Sequence, residues 1–164
     1  MAILIEQVMT RDVLSVQPEM TVKQMDRALL DRNVSGAPVL EGQRLVGVVS
    51  RADAVRALYD DQSQATRISD FYTSPFPIPL PALDQLEKDS RRITHHLATL
   101  RVREIMTTDP LTVAPTDHVE VVAHMMVSER VHRVPVVEEG ELVGIVSSLD
   151  IVGCVARHGL GTGS

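Results

Sequence analysis

Aromatic side chains are scarce in this sequence: tryptophan is absent, and two phenylalanines and two tyrosines make up 2% of its 164 residues. A core must therefore be built from valine, leucine, isoleucine, methionine and alanine. With 44% hydrophobic residues there is enough such material to bury. Branched aliphatics suit sheets covered by helices. Cysteine occurs once, as Cys154, which excludes an internal disulfide and fits a reducing cytoplasm; in its apolar run it reads as a small core residue. No stretch reaches the roughly 18 apolar residues of a spanning helix. The start, MAILIEQVMT, lacks the basic opening and long apolar run of a secretory signal. A soluble, cytoplasmic chain with no membrane partner is expected. A basic cluster is missing too: the net charge is −6, and Arg91-Arg92 is an isolated pair. Proteins that bind duplexes usually show a basic face, so nucleic acid is not an expected partner.

Metal and catalytic signatures are also lacking. His95 and His96 are neighbours that a helix would point roughly 100° apart, with no ligand four residues on. His118 and His124 are poorly spaced as well. No serine or cysteine nucleophile with a matching base is recognisable, and the closing GLGTGS has no phosphate-loop lysine. Residues 159–164 read as a flexible tail. Met20, Met25, Met125 and Met126 fall at helix-core positions. No catalytic residue, metal ion or required cofactor is expected.

What the sequence does contain is a phrase written twice. LVGVVSRAD at 45–53 and LVGIVSSLD at 142–150 share six of nine letters, 97 residues apart. The same offset lays VMTRDVLSVQP (8–18) on IMTTDPLTVAP (105–115). It also lays NVSGAPVLEGQRLVGVVSRADAV (33–55) on RVHRVPVVEEGELVGIVSSLDIV (130–152), without a gap. Each copy reads as β-α-β-β-α. A short apolar run, Val13 to Val16 or Leu111 to Val113, stops at Pro18 or Pro115. A helix follows: Thr21 and Gln24 form a capping-box pattern ahead of Val22, Met25 and Leu29. In the second copy Asp117 and Glu120 mark the start, and Val119, Val122 and Met126 form the buried stripe. Two valine-rich runs around EGQR or EEG make a hairpin, and a last helix opens at Ser50 or Ser147. Neither half can cover its sheet alone. The expected fold is therefore α+β, two repeats packed sheet to sheet about a pseudo-twofold axis.

The division expected along the chain is a first repeat at 1–59, a linker at 60–102, a second repeat at 103–158 and the tail. The linker contains SPFPIPLPA (74–82), whose four prolines exclude a helix interior or central strand. Leu83, Leu86, Ser90, Ile93, Leu97 and Leu100 then follow a 3-4-3-4-3 spacing, the seam of an extra helix. That seam packs either on its own chain or on a second one.

The duplicated Ser-x-x-Asp can be read in two ways. Ser50 and Ser147 can cap a helix while Asp53 and Asp150 favour the positive end of its dipole. The same unpaired N–H groups can attract phosphate. Gly47 and Gly144 permit close approach to the strand, and an aspartate can accept from two ribose hydroxyls. Repetition of the shorter aspartate, where glutamate or glutamine is the commoner capping partner, favours binding.

These residues resemble a tandem pair of CBS (cystathionine-β-synthase) domains, a Bateman module. VMTRDVLSV and IMTTDPLTV at the starts, GAPVL and RVPVV in the middle, and GVVSRAD and GIVSSLD at the ends carry the resemblance, over about 100 residues. It implies a regulatory sensor that binds adenosine-containing ligands (AMP, ADP, ATP or S-adenosylmethionine) in two clefts between the repeats. It maps a binding pattern onto Gly47, Ser50 and Asp53 and onto Gly144, Ser147 and Asp150. Ala37 and Val134 would line the adenine pocket. His132 and Arg133 would serve phosphates, in a cleft the resemblance assigns to Asp53; the first copy has the uncharged Ser35-Gly36 there, so unequal clefts follow. Arg133 would bring a forked, permanently charged donor, unless it and His132 are ordinary surface positions. The resemblance also implies a homodimer through the helix faces at 21–32 and 117–129, and a regulated protein partner. Two rival functions stay open: a dimerisation or scaffold module with no physiological nucleotide, and a small enzyme.

Overall fold

The computed structural model describes residues 2–59, 70–73, 95 and 98–159. The Pro-rich 74–82 stretch and the leucine seam, Leu100 apart, lie outside the described residues. The chain forms two compact units, one of residues 14–110 and one of residues 1–13 with 111–164.

In the 14–110 unit, Val16 makes a single parallel bridge to Val39 before the chain turns at Pro18. The α-helix α1 (Val22–Asp31) follows. Its capping box is complete: the Gln24 N–H donates to Thr21 Oγ1 at 3.1 Å, and the Thr21 N–H donates to Gln24 Oε1 at 2.9 Å. Val22, Met25 and Leu29 recur at 3- and 4-residue steps, so one face of α1 is wholly buried. It packs with Ala37, Val39 and Val49 of the antiparallel hairpin β1 (Gly36–Glu41) and β2 (Arg44–Ser50), and with Ala54 of α2 (Arg51–Tyr59). Burying a side chain such as Met25 or Leu29 contributes roughly 1.5–3 kcal/mol. The short helices α3 (Asp70–Thr73) and α4 (Val102–Ile105) complete the unit.

The other unit repeats the plan. Val113 bridges Val136, α5 spans Val119–Glu129, β3 (Arg133–Glu138) pairs antiparallel with β4 (Glu141–Ser147), and α6 spans Ser148–His158. Both hairpins carry an irregularity at the same place, between Val39 and Leu40 and between Val136 and Val137. Cys154 is buried, as its apolar setting predicts.

Two local expectations need correction. The first strand of each copy shrinks to one bridge, because Pro18 and Pro115 follow too soon for a ladder to grow. The start of α5 is not built on Asp117: His118 occupies the N-cap without a side-chain bond, and Asp117 Oδ2 instead accepts the Ala114 N–H at 2.8 Å, closing the preceding turn.

The lead-ins are exchanged. Ile5, in a 3₁₀ turn at Ile5–Gln7, donates its N–H to Asp117 O at 2.9 Å, and Thr10 and Ile145 trade backbone bonds at 2.8 and 2.9 Å. At the same offset, Val102 donates to Met20 O at 2.9 Å, and Val48 and Thr107 trade bonds at 3.0 and 2.9 Å. The lead-in of each repeat thus completes the unit built on the other. Arg103 adds a surface tie, its Nε donating to Glu19 Oε1 at 3.0 Å, and that carboxylate raises the guanidinium pKa.

Candidate functional site

Each copy turns a strand directly into a helix at a serine. The Asp150 N–H donates to Ser147 Oγ at 3.2 Å, while the Ser147 N–H and Oγ–H both donate to Asp150 Oδ2 at 2.7 Å. In the first copy the Asp53 N–H donates to Ser50 Oγ at 3.2 Å, and Asp53 Oδ2 accepts the Ser50 N–H at 2.8 Å and its hydroxyl at 3.0 Å. The capping reading of Ser-x-x-Asp is therefore realised in full. It does not exhaust the site. A carboxylate offers about four acceptor positions, and the capping bonds leave Oδ1 of Asp150 uninvolved.

The two copies differ around this shared cap. Asp53 Oδ1 lies 3.6 Å from Arg56 Nη2. The position 97 residues on from Arg56 is Gly153, and no cation pairs with Asp150 among the described residues. Ser50 is 1% exposed, whereas Ser147 is half-buried. Across the hairpin Gly36 pairs with Ser50 and Arg133 with Ser147. Arg133 is half-buried, and desolvation lowers its pKa. His132, also half-buried, accepts the Ser148 N–H on its carbonyl at 2.8 Å.

The remaining predicted residues are less directly placed. Ala37 and Val134 are fully buried, Ala37 within the core cluster of its unit, so any contact they make with a ligand falls to their backbone. The close approach that Gly47 and Gly144 permit is made by the chain itself. A β-carbon at Gly47 would come 2.7 Å from Thr107 O, and one at Gly144 would come 2.8 Å from Met9 Sδ and 2.9 Å from Thr10 O. These glycines admit the exchanged lead-ins.

Three features escaped the sequence reading. Arg51, next to Ser50, forms a buried ion pair with Asp26 at 2.5 Å. Arg56 engages Asp53. Phe71 and Tyr72 of α3 pack edge to face, ring centres 5.1 Å apart, with Phe71 against the first hairpin. For the two ion pairs the available signal was the difference between the copies, since Ala123, Ser148 and Gly153 stand where the first copy has Asp26, Arg51 and Arg56.

Among the described residues no group of His, Cys, Asp or Glu side chains could hold a metal ion, and no helix is long and apolar enough to cross a membrane.

Comparison with known proteins gives the following. The CBS domain family matches at residues 5–60 and 102–157. An inosine-5'-monophosphate dehydrogenase of Korarchaeum cryptofilum is 29% identical over 147 residues, 89% of this chain and 23% of that protein. The uncharacterized protein MJ1426 of Methanocaldococcus jannaschii is 30% identical over 128 residues, 77% of this chain and 76% of the other. The chain thus spans about a quarter of the dehydrogenase's length. Among solved structures, CBSX2 of Arabidopsis thaliana in complex with AMP is similar with a TM-score of 0.65 and 26% identity, covering 94% of this chain and 96% of that one.

Proposed function

The chain belongs to the CBS domain family, and on that premise we propose that it is a regulatory module sensing an adenosine-containing ligand, with no catalysis of its own. The observation that carries this reading is the Asp150 carboxylate, fixed by its serine cap with one oxygen left for a sugar. A ribose bearing adjacent hydroxyls is the natural donor to such an oxygen. Arg133, directly across the hairpin from Ser147, suits a phosphate on the same ligand. The AMP complex of the Arabidopsis relative supports an adenosyl ligand; ADP, ATP and S-adenosylmethionine share the group recognised. The resemblance couples Arg133 to Asp53, whereas the hairpin register favours Asp150 as its partner carboxylate.

Binding transmits a signal only if it favours one conformation over another, so a regulated protein belongs to the proposal. Calorimetric titration with AMP, ATP and S-adenosylmethionine tests the reading: heat and saturation with at least one are expected, and silence from all three overturns it.

Self-association is the second element, favoured by a specific observation. Val121 and Val127 on α5 and Leu149 and Val152 on α6 are exposed. The helix at 21–32, also expected to supply an apolar contact, turns Lys23, Gln24, Arg27 and Asp31 outward instead. We place the homodimer contact on α5 and α6, and the cytoplasm remains the proposed compartment.

A further inference from the structure

We propose that Phe71 and Tyr72 form a built-in cover over the first copy's Gly36–Ser50 end, leaving the protein with one open adenosyl site, at Ser147 and Asp150. The inference deepens the sensor reading and rests on it for the ligand's identity; the cover itself is argued from packing alone.

Phe71 is fully buried and Tyr72 is 5% exposed, although both belong to a four-residue helix that could not bury anything by itself. Phe71 lies where a β-carbon on Gly36 would reach its Cδ2 at 3.2 Å. Gly36 is the cross-strand partner of Ser50, and directly opposed residues point to the same face of a hairpin. The ring therefore lies on the face that carries the Ser50 hydroxyl, and Ser50 is sealed. Beside it, Ser35 Oγ is buried with no hydrogen-bond partner among the described residues. An orphaned hydroxyl is what a polar recess retains when an apolar ring closes it.

The groups a ligand would use in the first copy are also engaged. Asp53 gives one oxygen to Ser50 and faces Arg56 with the other. Arg51 is held by Asp26. The second copy has Arg133 in place of Gly36 and Gly153 in place of Arg56, with Ser147 half-buried rather than sealed. The duplication thus supplies one receptive end and one that the chain's own linker has closed.

Two measurements test this on the full chain. The first needs no ligand. In a Cys154→Ala background, Ser50→Cys and Ser147→Cys are compared for their rate of reaction with a small thiol reagent. The expected result is labelling of Ser147→Cys at least tenfold faster than Ser50→Cys, with the gap abolished by Phe71→Ala in a protein whose circular dichroism is unchanged. Equal labelling with Phe71 present overturns the cover, whatever the protein binds. The second is AMP stoichiometry by calorimetry. One site per chain is expected, lost in Asp150→Asn and kept in Asp53→Asn. Two sites in the unsubstituted chain, or one that depends on Asp53, overturns the inference while leaving the sensor reading intact. Absence of AMP binding in every variant removes the single-site claim and counts against the sensor reading, while the labelling result decides the cover.

Discussion

Arg51 donates through Nε to Asp26 Oδ1 at 2.5 Å, and the two side chains are 5% and 6% exposed. This ties the start of α2 to the middle of α1 in the first copy. The second copy does without it, having Ala123 and Ser148 at those positions. A buried pair repays its desolvation only while both members are present. Asp26→Ala should therefore destabilise the protein by about 3–5 kcal/mol, because a guanidinium is left buried without its carboxylate. The double variant Asp26→Ala/Arg51→Ser, which copies the second repeat, should be clearly milder. Urea unfolding of the parent, Asp26→Ala, Arg51→Ser and the double variant measures this; additive losses would contradict it.

The exchanged lead-ins give a second prediction. Gly47→Ala and Gly144→Ala each force a methyl against a backbone carbonyl closer than 3.0 Å. Overpacking of this kind costs about 1–3 kcal/mol. Gly153→Ala is the control: its methyl would meet only the Arg157 side chain, at 3.8 Å. Removing glycine from a helix interior should raise stability there by roughly 0.5–1 kcal/mol. Thermal unfolding midpoints moving in opposite directions are the expected outcome.

Arg133 should read the ligand's phosphate and not its sugar. A hydrogen bond to a charged group is worth about 1.5–3 kcal/mol, roughly 10- to 100-fold in affinity. Arg133→Met should weaken AMP by that factor and leave adenosine nearly unchanged; competition binding with both ligands distinguishes them. Equal weakening of both would assign Arg133 to the fold instead.

The exposed valines predict the assembly. Val127→Asp with Val152→Asp places charges in a contact whose core should be depleted of them. Sedimentation equilibrium should show a dimer for the unsubstituted chain and a monomer for the double variant. A dimer in both would move the contact off α5 and α6.

Much of this architecture was legible because the repeat supplied its own alignment. The Thr21–Gln24 capping box, the stripe Val22, Met25, Leu29, the hairpins and the helix starts at Ser50 and Ser147 are all local patterns, and the structure realises them. What was not legible involved distant partners. Nothing near Gly47 in sequence reveals that Thr107 presses on it, so its small size looked like room for a ligand. Asp26 and Arg51 are 25 residues apart, and only the loss of both in the second copy pointed to a pair. Phe71 lies in a segment without a counterpart in the repeat, so no comparison between copies could place it. At the proposed site, Ser-x-x-Asp could not separate capping from binding, because in Asp150 one carboxylate oxygen makes the capping bonds and the other is left out of them.

The most direct test of the central claim is a crystal structure of the protein grown with AMP. The account predicts difference density for one nucleotide at the Ser147–Asp150 end, with its ribose hydroxyls within hydrogen-bonding distance of Asp150 and its phosphate toward Arg133. A nucleotide seated elsewhere, with Asp150 making only its bonds to Ser147, would contradict it.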